Sequence, residues 1–274
     1  MGVLRAQHTL LGDLPHVSND HIDSRDFEDF LALFENPSFA LGRQSQCNYH
    51  PERTAALQAF RSDRLPGELY QRLMDHHFRR SGMLFYRPVC PACRACVPIR
   101  IPVQSFRPSR SQRRCYAKNT DLRLEIRLPS LDEERLSLYQ RYLAYQHPDT
   151  QQGASESSLR QFLYSSPVDT WEFGYYLDKQ VGGTGQSTRR ELIAVSIVDC
   201  CSQSYSSVYH FFAPEHAHRS LGVFSVLREI ELAREKRIPY YYLGYWVEGC
   251  STMEYKKNYR PHELLIGQSW KTDE

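Results

Sequence analysis

Three cysteines stand at C-x-x-C-x-x-C spacing, Cys90, Cys93 and Cys96, inside the run YRPVCPACRACVPIRIPVQSFRPSRSQRR (86–114). Thiolates at this spacing on a tight turn can face one centre, so the run predicts a zinc or iron–sulfur site whose fourth ligand comes from elsewhere. Cys47 is the natural fourth ligand, with His50 and Cys115 behind it, and spacing alone does not separate zinc from an iron–sulfur cluster. The competing reading is three half-buried thiols beside basic residues, with no metal. The same run holds seven arginines and no acid. Between His76 and Thr120 ten Lys or Arg meet no Asp or Glu, whereas all 274 residues carry 34 basic and 32 acidic side chains. The remainder of the chain therefore has 24 basic against 32 acidic residues, a net of −8. Charge gathered in one block is a footprint for a polyanion, most commonly nucleic acid. Within FRPSRSQRR (106–114), Arg107, Arg110, Arg113 and Arg114 are the expected phosphate contacts, beside an aromatic ring on which a base can stack.

A second chemical arrangement lies downstream. The strand 207–213 leads through the loop PEHAHRSLG into a helix over 223–237, and the strand YYYLGYW follows. Val223, Val226, Leu227, Ile230 and Ala233 form the apolar stripe of that helix, and Pro239 ends it. A strand, an Arg- and Gly-bearing loop, a helix and a strand are how acetyltransferase-like folds hold a phosphate-bearing acyl donor, with Arg219, Ser220 and Gly222 at the helix start. The tail, with Lys256, Lys257 and Arg260 among Tyr255 and Tyr259, interleaves basic and aromatic residues in a way that suits a nucleic-acid end.

The elements that must position these groups are legible in part. DFEDFLALFE (26–35) aligns Phe27, Phe30, Leu31 and Phe34 on one helical face, yet residues 1–37, with seven acids and two arginines, read best as a poorly ordered acidic extension. A helix is expected over 67–77, a strand over 83–86, and a second strand over 97–103 that its prolines confine to an edge. LDEERLSLYQRYLAYQ (131–146) is a helix with an acidic first turn, and another spans 157–165. The strands TWEFGYYLD and ELIAVSIVDC flank GGTGQST, a hairpin rather than a phosphate loop, because no Gly-Lys-Ser/Thr and no helix follow. The domain boundaries expected are 1–37, 38–128 and 129–274. No run of eighteen apolar residues, no signal peptide and no myristoylation pattern is present, so a cytoplasmic protein is expected, with neither a membrane nor DNA as partner. The excess of aromatics, 18 Tyr, 13 Phe and 3 Trp, leans towards ligand or base contacts.

Taken together these motifs resemble the bacterial leucyl-tRNA–protein transferases (aspartate/glutamate leucyltransferases), relatives of the eukaryotic arginyl-tRNA–protein transferases. The resemblance is carried by Tyr86-Arg87-Pro88 with Cys90, Cys93 and Cys96, by Val97-Pro98-Ile99-Arg100, and by Phe106-Arg107-Pro108-Ser109. It continues through Leu138-Tyr139-Gln140-Arg141-Tyr142 with His147, Arg219-Ser220-Leu221-Gly222, Tyr242-Leu243-Gly244-Tyr245-Trp246, and Met253 with Tyr255-Lys256 and Tyr259-Arg260-Pro261. It spans about 38–270. Cys47 departs from the usual pattern in being followed by Asn-Tyr-His, which brings His50 near the thiols.

The resemblance implies an α+β chain: a GNAT-type, acetyltransferase-like C-terminal domain with a smaller cysteine-bearing N-terminal α/β region. It implies transfer of leucine from leucyl-tRNA to proteins or peptides beginning with Asp or Glu, which marks them for degradation by the N-end rule pathway. Transfer itself requires no cofactor, because the aminoacyl ester is already activated. On this reading Arg219, Ser220 and Gly222 hold the terminal adenosine or its phosphate. His147 and His210 are the candidates for proton traffic, with the hydroxyls of Tyr209 and Tyr245 as alternatives. Lys256 or Arg141 meets the acceptor's carboxylate, and Trp246 and Tyr255 line the substrate site. Arginyl transfer, a CoA-dependent N-acetyltransferase and a zinc-knuckle RNA-binding protein are the competing readings.

Overall fold

A computed structural model of the chain describes residues 14–15, 27–36, 38–146, 154–181 and 187–273. Its first helix, α1 (Phe27–Leu33), buries Phe27, Phe30 and Leu31. With Phe34 these side chains join Phe60, Tyr70, Phe78 and Phe85 in an aromatic core. This overturns the reading of α1 as part of a poorly ordered extension: its aromatic face has a partner of matching size, and burying Phe side chains outweighs the acidity of the opposite face. The partner is a small unit made of β1 (Ser45–Gln46), β2 (Thr54–Ala55), β3 (Leu57–Arg61), α2 (Gly67–Asp75), β4 (Arg79–Ser81) and β5 (Leu84–Pro88), in which β3, β5 and β4 form a three-stranded antiparallel sheet.

The remaining strands build one sheet of eight. In chain order its members are β6 (Cys96–Pro102), β7 (Leu122–Arg127), β8 (Thr170–Val181), β9 (Ser187–Cys200), β10 (Ser204–Phe212), β11 (Tyr240–Val247), β12 (His262–Ile266) and β13 (Ser269–Asp273). In space they run β13-β12-β6-β11-β10-β9-β8-β7. The sheet therefore crosses the boundary expected at 128/129. β6 is interior rather than an edge strand. Its ladder with β12 holds only the pairs Arg100–Glu263 and Ile99–Leu264, so Pro98 and Pro102 both lie outside it and no ladder bond to β12 is lost. The helices are α3 (Arg110–Lys118), α4 (Glu133–Gln146), α5 (Glu156–Leu159), α6 (Leu221–Glu235) and α7 (Ser251–Glu254). The short α5 is capped by Ser155, whose side chain accepts from the Ser158 amide, and it runs on as a π-helical turn to Tyr164. Among the described residues no helix is long and apolar enough to cross a membrane.

Alternation along β10 places the two helical layers. Tyr209 and Phe211 meet Tyr139 of α4 on one face, and His210 points the other way, towards Gly222 of α6. Among the described residues only β10 and β11 pair in parallel, the strands that the α6 crossover joins. This is the acetyltransferase-like order expected from the sequence. The strands 170–178, 191–200 and 207–213 and the helices 131–146 and 223–237 match what their patterning predicts, within a few residues at most ends. Residues 182–186 of the GGTGQST turn lie outside the described residues, although the antiparallel pairing of β8 with β9 is that of a hairpin.

Two segments fold in ways the sequence reading left unassigned. Arg110–Lys118 is a helix, opened by a reciprocal capping box in which Ser109 accepts from the Gln112 amide and Gln112 accepts from the Ser109 amide. The tail folds into α7, a 3-10 turn (Tyr255–Asn258) and the β12–β13 hairpin. Lys256 is thereby buried, and so is no surface contact for nucleic acid.

Candidate active site

The parallel ladder between β10 and β11 holds three pairs: Ser204–Tyr240, Tyr205–Tyr241 and Ser206–Tyr242. Beyond it β10 stays with β9 as far as Phe212, and β11 stays with β6 as far as Val247. Each strand also shifts register where they part, β10 between Ser207 and Tyr209 and β11 between Tyr242 and Gly244. The two strands therefore splay. Parting leaves backbone groups without ladder partners, and such groups in a buried place must be met by something else.

Two cationic side chains meet them. Arg79 Nη2 donates to Ser206 Oγ (2.9 Å) and to the Ser207 carbonyl (3.2 Å), while its Nη1 donates to Met74 Sδ. Lys256 Nζ donates to the Tyr245 carbonyl (2.7 Å). Gly244 lies between them with φ +87°, a left-handed backbone that favours glycine. A Cβ on Gly244 would lie 3.6 Å from Lys256 Nζ and 3.8 Å from Arg79 Nη2. Burial lowers the Lys256 pKa to about 7, and the Arg79 charge acts in the same direction.

On the α6 side, Ser220 has a left-handed backbone (φ 56°) and stands at the head of the helix. Its carbonyl accepts from the Val223 and Phe224 amides. The amides that open the helix face outward from its positive end, which suits an anion or a developing oxyanion. Gly222 is the close approach here, with His210 Cδ2 3.6 Å from where its Cβ would be. His210 Nδ1 is hydrogen-bonded to Ser196 Oγ (2.8 Å), and its Nε2 is buried without a partner among the described residues. Burial lowers its pKa to about 4, so the imidazole is neutral near pH 7. Behind Ser196 lies the carboxyl of Glu229, raised to about 7 by burial and bonded by the Tyr241 hydroxyl. Where the Ser196 oxygen accepts Nδ1–H, Nε2 is left as the proton acceptor.

Other expected site residues stand apart from this gap or are already engaged. Arg219 makes two 2.9 Å bonds to the Asp121 carboxylate, so its charge is met within the protein. Arg141 is exposed and paired with Glu215. The Tyr245 hydroxyl donates to the His77 carbonyl, which fixes it as a structural donor. Tyr209 is ringed by Tyr139, Tyr142 and Phe162, and burial pushes its hydroxyl well above the usual range, so it stays protonated. Trp246 lies under the Lys257 ammonium (3.9 Å), and Tyr255 is half exposed. His147 lies outside the described residues. The sequence reading missed Arg79, Ser196 and Glu229. Glu229 had a signal, an acid set among the buried residues of α6, where an unpaired charge is costly.

Arg107, Arg110, Arg113 and Arg114 are exposed on α3 and the turn before it. That helix abuts the head of α6: Asn119 Nδ2 donates to the Arg219 carbonyl (3.0 Å), and Cys115 Sγ lies 3.5 Å from the Ser220 carbonyl oxygen. The thiols form a separate group. Burial raises Cys96 to about 12, and Cys90, Cys47, Cys93 and Cys250 all add to that rise. Cys93 is lowered by the Ala95 amide and then by Arg53, whose Nη1 lies 3.3 Å away, and Cys90 bonds the Ala56 backbone. Cys90 and Cys93 thus hydrogen-bond within the protein, and among the described residues no three His, Cys, Asp or Glu side chains stand as a metal-ligand set.

Residues 45–114 match the family described as Arginine-tRNA-protein transferase, N terminus, and residues 134–266 match the C terminus of the same family. An aspartate/glutamate leucyltransferase of Stenotrophomonas maltophilia is 39% identical over 89% of this chain and 94% of its own length. The proteins of the same name from Hahella chejuensis and Halorhodospira halophila are each 37% identical, over 75% and 84% of this chain and 83% and 94% of theirs. Among solved structures, FemX aligns at TM-score 0.42 and 9% identity, over 85% of this chain and 73% of that one, a likeness too loose to carry weight. With both halves matched and relatives aligned along most of its length, the chain belongs to the arginine-tRNA-protein transferase family.

Proposed function

We propose that the protein transfers leucine from the 3′ ester of leucyl-tRNA to the α-amine of proteins beginning with Asp or Glu, marking them for degradation in the cytoplasm. The observation that carries this reading is the contact of α3 with the head of α6. Exposed arginines that suit a tRNA backbone lie on the helix whose C-terminal end meets the turn that receives an acyl donor, an arrangement a CoA-dependent acetyltransferase does not need. The names of the relatives supply the choice of leucine over arginine.

The reaction asks little of a base. A free α-amine has a pKa of about 7.7–8.0, so a fair fraction is neutral at working pH. What remains is to hold amine and ester together, stabilise the oxyanion, and return a proton to the ribose oxygen. In this reading the opening amides of α6 at Leu221 and Gly222 face the oxyanion. Neutral His210, oriented through Nδ1 by Ser196, takes the amine proton at Nε2 and passes it to the leaving oxygen. Lys256 meets the acceptor's carboxylate. Transfer proceeds without a cofactor.

The test is direct. The protein is incubated with leucyl-tRNA, arginyl-tRNA or acetyl-CoA and a peptide beginning with Asp. Transfer from leucyl-tRNA alone is expected; transfer only from CoA, or none from any donor, overturns the reading.

A further inference from the structure

Arg79 and Arg80 are consecutive, and both are buried. Arg80 is compensated in full: its Nε and Nη2 meet the Asp199 carboxylate, which is itself buried. Arg79 is 6% exposed and bonds only neutral groups, Met74 Sδ, Ser206 Oγ and the Ser207 carbonyl. Lys256, 7% exposed, bonds the Tyr245 carbonyl. Among the described residues neither forms an ion pair, and the two face one space beside Gly244. Satisfying a parted backbone carbonyl needs only a neutral donor such as an amide. Two adjacent buried cations without a carboxylate are costly, and the cost is offset when an anion enters between them.

We propose that Arg79 and Lys256 form a two-cation clamp for a single carboxylate, the acidic side chain at the start of the acceptor polypeptide, with Arg79 the specificity-determining partner. This rests on the reading of the protein as an acidic-N-terminus acyltransferase. Lys256 keeps two N–H donors beyond the one given to Tyr245, and both are available to carboxylate oxygens. A side-chain carboxylate is small enough to reach a buried pair, whereas a phosphodiester flanked by nucleosides needs an open groove, and exposed arginines for that purpose lie on α3. The clamp discriminates by charge: the amides Asn and Gln match the shape of Asp and Glu but leave both cations uncompensated.

The test uses the full chain and labelled peptides beginning with Asp, Glu, Asn or Gln, with binding read by fluorescence anisotropy without tRNA and transfer read separately. The wild type is expected to prefer Asp over Asn at least tenfold in binding. Arg79→Met removes most of that preference and raises the acceptor KM about tenfold or more, with the KM for leucyl-tRNA unchanged, and Arg79→Lys recovers part of it. Should Arg79→Met fail to fold, Lys256→Gln, which keeps a donor for the Tyr245 carbonyl, serves in its place. A folded variant with the wild-type preference overturns the clamp, and so does a rise in the KM for leucyl-tRNA matching that for peptide, which assigns the pair to phosphate. Intact Asp preference without leucyl transfer in the wild type overturns the reaction and leaves the clamp standing.

Discussion

Burial lowers the pKa of two groups at the splay, Lys256 and His210. Lys256 shows the consequence most plainly. Its pKa of about 7 is set by burial and by the neighbouring Arg79, against which Cys96 and Cys250 act in the opposite sense. A bound carboxylate favours the charged ammonium, so the acceptor binds the protonated form. Below pH 7 that form dominates in the free protein; above it, binding requires a proton from solvent. Acceptor affinity is therefore expected to fall as pH rises through 7, by up to about tenfold per unit. Calorimetry of an Asp peptide in buffers of different ionisation enthalpy checks this, and no proton uptake at pH 8 contradicts it. His210 makes a separate prediction. His210→Ala is expected to lower kcat by about 10²–10⁴-fold, the usual worth of a positioned acid–base group, with little change in either KM. Ser196→Ala, which removes only the orienting hydroxyl, is expected to fall between that variant and the wild type. His210, Gly222 and Lys256 were legible as residues because type and motif marked them. Arg79 was not, since nothing in the sequence says that Arg80 finds a carboxylate and its neighbour none.

Elements were legible where one face carried a clear period. α4, α6 and the strands β8 to β10 follow their apolar patterns. β6 was misplaced because Pro98 and Pro102 suggest an edge, and the sheet admits them only because the β12 ladder is two pairs long. α1 was undervalued because its acidic exposed face is a local property, whereas its burial depends on Phe60, Phe78 and Phe85 far along the chain. α3 was hidden among arginines, although Ser109 and Gln112 are a capping box at the right spacing. That cap gives a prediction at the scale of the element. Ser109→Ala is expected to cost about 1 kcal/mol of stability, read from denaturant unfolding. Because α3 carries the arginines and abuts the head of α6, the same variant is expected to raise the KM for leucyl-tRNA while leaving the acceptor KM alone. Equal effects on both substrates would separate the helix from the donor side.

Across the whole molecule, charge is sorted by accessibility. Arg79, Arg80 and Arg100 are buried, while Arg107, Arg110, Arg113 and Arg114 remain on the surface around α3. The basic residues that form one block in sequence therefore divide into a buried and an exposed group, a division that composition does not reveal. Only the exposed group can release counterions when a polyanion binds, so only that group governs the salt dependence. Changing Arg110, Arg113 and Arg114 together to Gln is expected to weaken tRNA binding and to flatten the slope of log K against log salt by roughly one for each phosphate no longer neutralised. Binding of an Asp peptide, which uses buried cations shielded from salt, keeps its own weaker dependence in that variant. Filter binding of tRNA across a salt series, beside peptide anisotropy over the same series, measures both slopes. An unchanged tRNA slope moves the nucleic-acid surface away from α3; a changed peptide slope shows that the two groups of cations act as one field.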